Sequence, residues 1–180
     1  MKTDKATLHY GKTNQMQRSF DLLEQYVEQC FISVRADQQL DPARTRFPHI
    51  IDAAHEYGPA AGLRAAHRYH PDVAWCVVAC DLPLLENSII QSLVSSRKIG
   101  MDGVILATGV EEVDIDPLCA VWEPAALAHL CQQQDARYPP LRSCLSNAVH
   151  LSLSNPDFLL NANTPEEHKL ALRKIRNADE

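Results

Sequence analysis

The longest apolar run of this chain, residues 73–80, ends directly at an acidic residue, Asp81. The run is far too short to cross a bilayer, which takes about 20 residues in a helix. The unbroken apolar character of Trp75–Ala79 is instead typical of a strand that helices cover on both faces. We therefore predict that Ala74–Cys80 is an interior strand of a sheet.

Shorter apolar runs and helical patterns alternate along the rest of the chain. In residues 13–29, apolar side chains from Met16 to Val27 recur at helical spacing and predict a helix. The alternation predicts an α/β fold with a mostly parallel sheet and helices on both faces. We find no internal repeat or linker and predict one domain over residues 1–180. The other predicted strands are Cys30–Arg35, Pro48–Ile51, Gly103–Ala107, Leu118–Trp122, Val149–Leu153 and Phe158–Leu160, and the other predicted helices are Ala60–Tyr69, Asn87–Arg97, 124–134 and one that begins after Thr164.

Composition narrows the classes of function. The net charge is −6 with no clustered Lys and Arg, which argues against a nucleic-acid-binding surface. The amino end has no apolar segment of the kind found in secretory signals, so we expect a cytoplasmic protein without membrane contact. The six cysteines form no Cys-x-x-Cys pair. We interpret them as reduced core thiols rather than as a metal or disulfide framework.

Polar residues follow three of the predicted strands. Asp81 follows Ala74–Cys80, Asp52 follows Pro48–Ile51, and Asn161 and Asn163 follow Phe158–Leu160. Ligands of open parallel sheets bind beyond the carboxyl ends of strands, where an acid can hold Mg²⁺ against a triphosphate. Taken alone, periodicity favours a turn or helix-capping role for Asp81, and a turn role explains the two asparagines equally well.

Two further features carry weak signals by themselves. Gly58 begins a Gly-Pro-x-x-Gly segment before a predicted helix, where glycine lets the backbone approach a ligand. Loops contain Gly and Pro routinely, however. Lys5 lies in a polar stretch near the amino end, and a surface lysine is the plain interpretation.

The order of these motifs resembles one enzyme family over nearly the whole chain. Asp4-Lys5 resembles the end of the Gly-Gly-x-Ser-x-Arg-Met-x-x-Asp-Lys signature of the nucleotidyltransferases that include molybdenum cofactor guanylyltransferase. Gly58-Pro59-Ala60-Ala61-Gly62, Cys80-Asp81-Leu82-Pro83 and Asn161-Ala162-Asn163-Thr164-Pro165-Glu166-Glu167 follow in the family's order. The resemblance implies a three-layer, Rossmann-like fold of the nucleotide-diphospho-sugar transferase type.

The resemblance also implies a reaction. GMP would pass from GTP to molybdopterin that carries molybdenum, with release of pyrophosphate. Lys5 would neutralise charge on the departing phosphates, and Asp81 would hold Mg²⁺. Asn161 and Asn163 match a family pair near the point where the two substrates join. The implied partners are these small molecules, and the family allows transient contact with other proteins of molybdenum cofactor synthesis.

Three positions match the nucleotide-contacting residues of the family. Asp52 corresponds to an acid that contacts the nucleotide, and Gly58 lies in the glycine segment beside it. On the strand after the first helix, either Ser33 or Arg35 falls at a nucleotide-contacting position, because the register leaves both open.

The first strand of the family and its Gly-Gly-x-Ser-x-Arg loop have no counterpart in the printed sequence, where Met1 falls at the signature's own Met. We therefore expect the printed sequence to be a domain truncated at its amino end, with Lys5 on a frayed terminus. The simplest explanation is that the true start lies upstream of Met1, and the other is a genuine truncation. Two alternatives to the guanylyltransferase stay open. One is a cytidylyltransferase or other NTP transferase of the same fold, and the other is a non-catalytic remnant.

Overall fold

A computed structural model describes residues 4–11, 13–107, 115–133, 139–153 and 155–178 of the chain. Met1 therefore lies outside the described residues. The strands are β1 (His9–Tyr10), β2 (Thr13–Asn14), β3 (Ile32–Val34), β4 (His49–Ile51), β5 (Trp75–Val78), β6 (Gly103–Ala107), β7 (Ile115–Trp122) and β8 (Val149–Ser152), and the helices are α1 (Gln15–Leu23), α2 (Pro59–Tyr69), α3 (Asn87–Ser95), α4 (Pro124–Gln132) and α5 (Pro165–Ala178).

The larger sheet has the strand order β5-β7-β6-β8. Strand β7 is antiparallel to both of its neighbours, and β8 is parallel to β6. Consequently β5, β6 and β8 run in one direction and β7 alone runs in the other. The predicted, mostly parallel α/β fold is confirmed.

Helices cover both faces of this sheet. Along β6, Val104 and Leu106 pack in one cluster with Ile90 and Leu93 of α3. The alternate residue Ile105 belongs to a second cluster, which contains side chains of α2 and α4. Because successive strand residues point to opposite faces, the two clusters lie on opposite faces of the sheet, and the sheet with its two helical layers forms a three-layer structure.

Strands β3 and β4 form a separate two-stranded parallel sheet, with Ser33 in register with Ile50. Strand β5 is an end strand whose hydrogen-bonded neighbour in the described ranges is β7. The predicted interior position of Ala74–Cys80 is therefore wrong, and the side chains of Trp75–Val78 are only half-buried. An apolar run indicates that the faces of a strand are covered, which is a different property from having both edges paired.

Two other predictions need correction. Phe158–Leu160 is not a strand, because Pro156–Leu159 forms a 3-10 turn that the Asn155 side chain caps by accepting from the Asp157 amide at 3.0 Å. The first helix spans Gln15–Leu23 instead of the predicted residues 13–29, because residues 13–14 pair with β1 as β2 and the helix ends at Leu23.

The predicted start of the last helix is confirmed. The Glu167 amide donates to Thr164 Oγ1 at 3.2 Å, and Glu167 Oε2 accepts from the Thr164 amide at 2.8 Å. This reciprocal pair is a capping box, and it holds the 161–163 segment in place before α5. No helix in the described ranges has the length and apolar character needed to cross a membrane.

Candidate functional site

Lys5 lies in a 3-10 turn, Lys5–Thr7, that its neighbour Asp4 caps. Asp4 Oδ1 accepts from the Ala6 amide at 3.1 Å. The second oxygen, Oδ2, accepts from Nη2 of the buried Arg44. The side chain of Ala6 is buried against Met16 and Phe47. The expected frayed terminus is therefore wrong for this turn, which has a cap, an ion pair and an apolar contact.

The side chain of Lys5 joins two of the predicted site residues. Its Nζ lies 3.3 Å from Asp81 Oδ2 and donates to Asn163 Oδ1 as well. The Lys5 side chain is 37% exposed and that of Asp81 is 18% exposed. A partly exposed ammonium held between two oxygens can turn toward an incoming anion, so this group has the chemistry of a phosphate site.

The segment 161–163 lies against the end of β5 through a backbone hydrogen bond. The Ala162 amide donates to the Asp81 carbonyl at 2.9 Å, and the Ala162 side chain is buried. Asn161 and Asn163, on either side of Ala162 in the chain, are both exposed. Only Asn163 reaches Lys5, whereas Asn161 Nδ2 donates to the Leu159 carbonyl at 3.5 Å.

A second group forms at the ends of β3 and β4. Ser33 Oγ donates to Asp52 Oδ1 at 2.7 Å. A Cβ atom on Gly62 would lie 2.6 Å from Ser33 Oγ, so only glycine leaves room for this pair. Arg35 instead pairs with Asp37 at 3.0 Å and is exposed. The structure thus places Ser33, and not Arg35, against Asp52.

Gly58 is the residue before α2 and has φ 66° and ψ −166°. This backbone conformation strongly favours glycine. Pro59 at the first helical position has no N–H to satisfy, and no side chain caps this end of the helix. The start of α2 at Gly58 is therefore without a side-chain cap.

Burial changes the proton affinity of two acids near these groups. Desolvation raises the pKa of Asp52, while the Ser33 hydroxyl opposes the rise and Glu56 adds to it. Desolvation also raises the pKa of Asp116; the Leu118 amide, which donates to it at 2.8 Å, opposes the rise, and the charge of Asp81 adds to it. Asp116 thus contributes a second carboxyl group near Asp81.

The structure brings Lys5, Asp81 and Asn163 together, and separately brings Ser33 and Asp52 together with Gly62. Within the described part of the chain, no hydrogen bond or ion pair links the two groups. A surface cavity of about 620 Å³ lies elsewhere, between α1 and the start of α3, and none of the predicted site residues lines it. Its lining residues are Thr13, Arg18, Asp21, Leu22, Gln25, Leu85, Glu86, Asn87 and Ser88.

Sequence reasoning did not assign individual roles to three residues at the site. Gly62 was noticed only as part of a motif, although its missing side chain is what admits the Ser33–Asp52 pair. Asp116 lies directly before Pro117, and nothing in its local pattern marks it as a site residue. Arg44 gave no signal, because its partner Asp4 is distant in sequence.

A metal could bind here only with help from a ligand. The described residues contain no group of three or more His, Cys, Asp or Glu side chains that could hold an ion. Asp81 and Asn163 do offer a carboxylate and an amide oxygen on either side of Lys5. Mg²⁺ prefers such oxygen ligands and is commonly held by one or two carboxylates together with substrate phosphates. The residues present fit Mg²⁺ bound with a nucleotide.

Comparison with known proteins gives consistent matches. The family model of the MobA-like NTP transferase domain matches residues 1–150. A molybdenum cofactor biosynthesis bifunctional protein of Synechocystis sp. is 28% identical over 175 residues, which are 93% of this chain and 49% of that protein. A "probable molybdenum cofactor guanylyltransferase" of Carboxydothermus hydrogenoformans is 30% identical over 139 residues, covering 72% of this chain and 65% of that protein. The chain thus spans about half to two thirds of the length of these curated relatives.

Among solved structures, molybdopterin-guanine dinucleotide biosynthesis protein A of Archaeoglobus fulgidus has the same fold. The two superpose with a TM-score of 0.78 at 20% identity, over 98% of this chain and 92% of that chain. The three-layer fold expected from the sequence is therefore that of a solved protein.

Proposed function

Because this chain belongs to the MobA-like NTP transferase family, we propose that it transfers GMP from GTP to molybdopterin carrying molybdenum and releases pyrophosphate. The name of the Carboxydothermus relative, a probable molybdenum cofactor guanylyltransferase, supports this choice of substrates, and the name of the Synechocystis relative supports a role in molybdenum cofactor biosynthesis. The sequence resemblance at Asp4-Lys5 and at the Asn-Ala-Asn segment supports nucleotidyl transfer, without specifying the base.

One observation carries the proposal: the Lys5 ammonium lies between Asp81 and Asn163, on segments that follow β5 and precede α5. In the reaction, a terminal phosphate oxygen of the pterin attacks the α-phosphorus of GTP. The bond from that phosphorus to the bridging oxygen breaks, and pyrophosphate leaves with the electron pair. Lys5 stabilises the negative charge that builds on this leaving group, which is the main demand of such chemistry.

We propose that Asp81 holds Mg²⁺ when GTP is bound. The metal would supply positive charge to the phosphate oxygens of the nucleotide. The present contact of Lys5 with Asp81 and Asn163 keeps both oxygens at the site before nucleotide arrives. On GTP binding, Lys5 would exchange these partners for phosphate, which would leave the Asp81 carboxylate free to hold Mg²⁺.

The second group is proposed to bind the nucleoside part of GTP. Ser33 and Asp52 offer a hydroxyl and a carboxylate that already share a hydrogen bond. The open start of α2 at Gly58 allows the backbone to approach the nucleotide closely. Asn161 is proposed to contact the pterin substrate together with Asn163, because both side chains are exposed in the segment that follows β5 in space through the Ala162–Asp81 hydrogen bond.

Calorimetric titration with GTP and with CTP, each with Mg²⁺, tests the nucleotide assignment. We expect GTP to bind and CTP to bind at least tenfold more weakly. Lys5→Met should weaken GTP binding, whereas Lys98→Met, at an exposed lysine after α3, should leave it unchanged. Preferential binding of CTP would make the chain a cytidylyltransferase, and binding without any turnover would favour the non-catalytic alternative.

A further inference from the structure

Arg44 is one of the few buried charged residues in the described part of the chain. Its side chain is 6% exposed, although it lies in a turn region between β3 and β4. Nη1 donates to Asp41 and Nη2 to Asp4. A guanidinium is suited to this task because its planar set of donors can bind two carboxylates at once.

The two oxygens of Asp4 have separate tasks. Oδ2 accepts from Arg44, and Oδ1 caps the turn that carries Lys5. A carboxylate that rotated away from Arg44 would also leave the Ala6 amide. The orientation of the cap, and with it the backbone of Lys5, therefore depends on the buried guanidinium.

The same segment contacts the turn a second time. The Phe47 amide donates to the Arg44 carbonyl at 3.0 Å, and the Phe47 ring packs against Ala6. Arg44 thus holds the polar side of the turn while Phe47 holds its apolar side. From this fixed base, Lys5 reaches Asp81 and Asn163.

We propose that Arg44 is a positioning residue of the transfer site, which acts through Asp4 to fix Lys5 against the leaving phosphates of GTP. The inference rests on the proposed function for its effect on turnover, but its effect on Lys5 itself does not depend on that function. A misplacement of about 1 Å at a reacting centre can cost on the order of 100-fold in rate. Because a displaced Lys5 can still reach the phosphates of bound GTP but no longer meets the charge that develops on the leaving group, loss of Arg44 should lower kcat much more than it changes KM.

The first test measures Lys5 directly, without nucleotide or metal. Trace labelling with an amine reagent, followed by peptide mass spectrometry, gives the rate of Lys5 modification relative to the exposed Lys98. We expect Lys5 to react slowly in the parent, and at least threefold faster in Arg44→Met and Asp4→Asn. Asp41→Asn is the matched control, since it removes the other carboxylate of Arg44 and leaves the Asp4 contact in place.

The second test measures GMP transfer in the same variants. Arg44→Met and Asp4→Asn should lower kcat by about 10- to 100-fold with KM for GTP within threefold. Asp41→Asn should change kcat by less than twofold, even where its melting temperature falls as far as that of Arg44→Met. Arg44→Lys should rescue part of the rate.

Unchanged Lys5 labelling in Arg44→Met would overturn the inference, as would equal losses of kcat in Asp41→Asn and Arg44→Met. If the parent transfers no GMP at all, the proposed function fails, and the labelling rates alone decide whether Arg44 positions Lys5.

Discussion

Replacement of Gly62 by alanine tests the close packing at the Ser33–Asp52 pair. Alanine gains about 1 kcal/mol of helix propensity over glycine inside a helix such as α2. Its Cβ, however, would lie 2.6 Å from Ser33 Oγ, so the hydroxyl must rotate and leave Asp52. A hydrogen bond to a charged group contributes about 1.5 kcal/mol at the lower end of its range, which suits an exposed serine. The two effects leave Gly62→Ala about 0.5 kcal/mol less stable than the parent.

A double-mutant cycle with Ser33→Ala isolates this effect. Without the hydroxyl, the new Cβ would lie 3.3 Å from the Cβ of residue 33, which a shift of a few tenths of an ångström relieves, and 3.7 Å from Asp52 Oδ1. Gly62→Ala should then stabilise the chain by about 1 kcal/mol. Urea unfolding of the four proteins, followed by circular dichroism, should give a coupling energy of about 1.5 kcal/mol. Equal effects of Gly62→Ala in the two backgrounds would show that the Ser33 hydroxyl does not restrict the side chain at position 62.

Three further predictions follow from the described contacts. Asp81→Asn should abolish GMP transfer and the Mg²⁺ dependence of GTP binding without unfolding the chain. As a control, Asp157→Asn, which removes the ion pair with Lys174, should leave activity unchanged. More than a tenth of the parent's activity in Asp81→Asn would refute the proposed role of Asp81 in holding Mg²⁺. The pKa of Asp52 is raised in the folded chain above its ordinary 3.8, so the folded state binds more protons than the unfolded state. The free energy of unfolding of the parent relative to Asp52→Asn should therefore increase as the pH falls from neutral through the raised pKa, and this gain should be absent at neutral pH. A pH-independent difference in urea unfolding would contradict this. A chain extended at its amino end by an apolar strand and a Gly-Gly-x-Ser-x-Arg loop should bind GTP more tightly and melt at a higher temperature than the 180-residue chain. The reason is that β3 and β5 each have one edge without a paired strand in the described ranges. Equal affinities and melting temperatures of the two chains would contradict this expectation.

Periodicity predicted the elements whose patterns are local. β6 has the predicted bounds, Gly103–Ala107, and the capping box at Thr164 is present. Sequence did not reveal the end position of β5, because strand pairing depends on which other segments reach its edges. The predicted strand at residues 158–160 is wrong because a short apolar run has no periodicity that distinguishes a strand from a 3-10 turn.

The candidate site shows the same division. Motifs pointed to Lys5, Asp81 and Asn163 separately, and the structure brings these three side chains into contact. What fixes Lys5 is an ion pair between Asp4 and Arg44, residues with no sequence pattern in common. Long-range pairs of this kind depend on loop packing, here of Phe47 against Ala6, and neither spacing nor composition predicts them.

Label transfer from GTP decides whether this chain transfers GMP to molybdopterin. The chain and its amino-terminally extended version would each be incubated with Mg²⁺, molybdopterin carrying molybdenum, and GTP labelled at either the α- or the γ-phosphorus. We predict that the α-label enters a pterin dinucleotide and that the γ-label leaves as pyrophosphate in equal amount. Lys5→Met should prevent both, and the extended chain should be the faster of the two. Absence of α-label from the pterin with both chains, or transfer from CTP in preference to GTP, would contradict it.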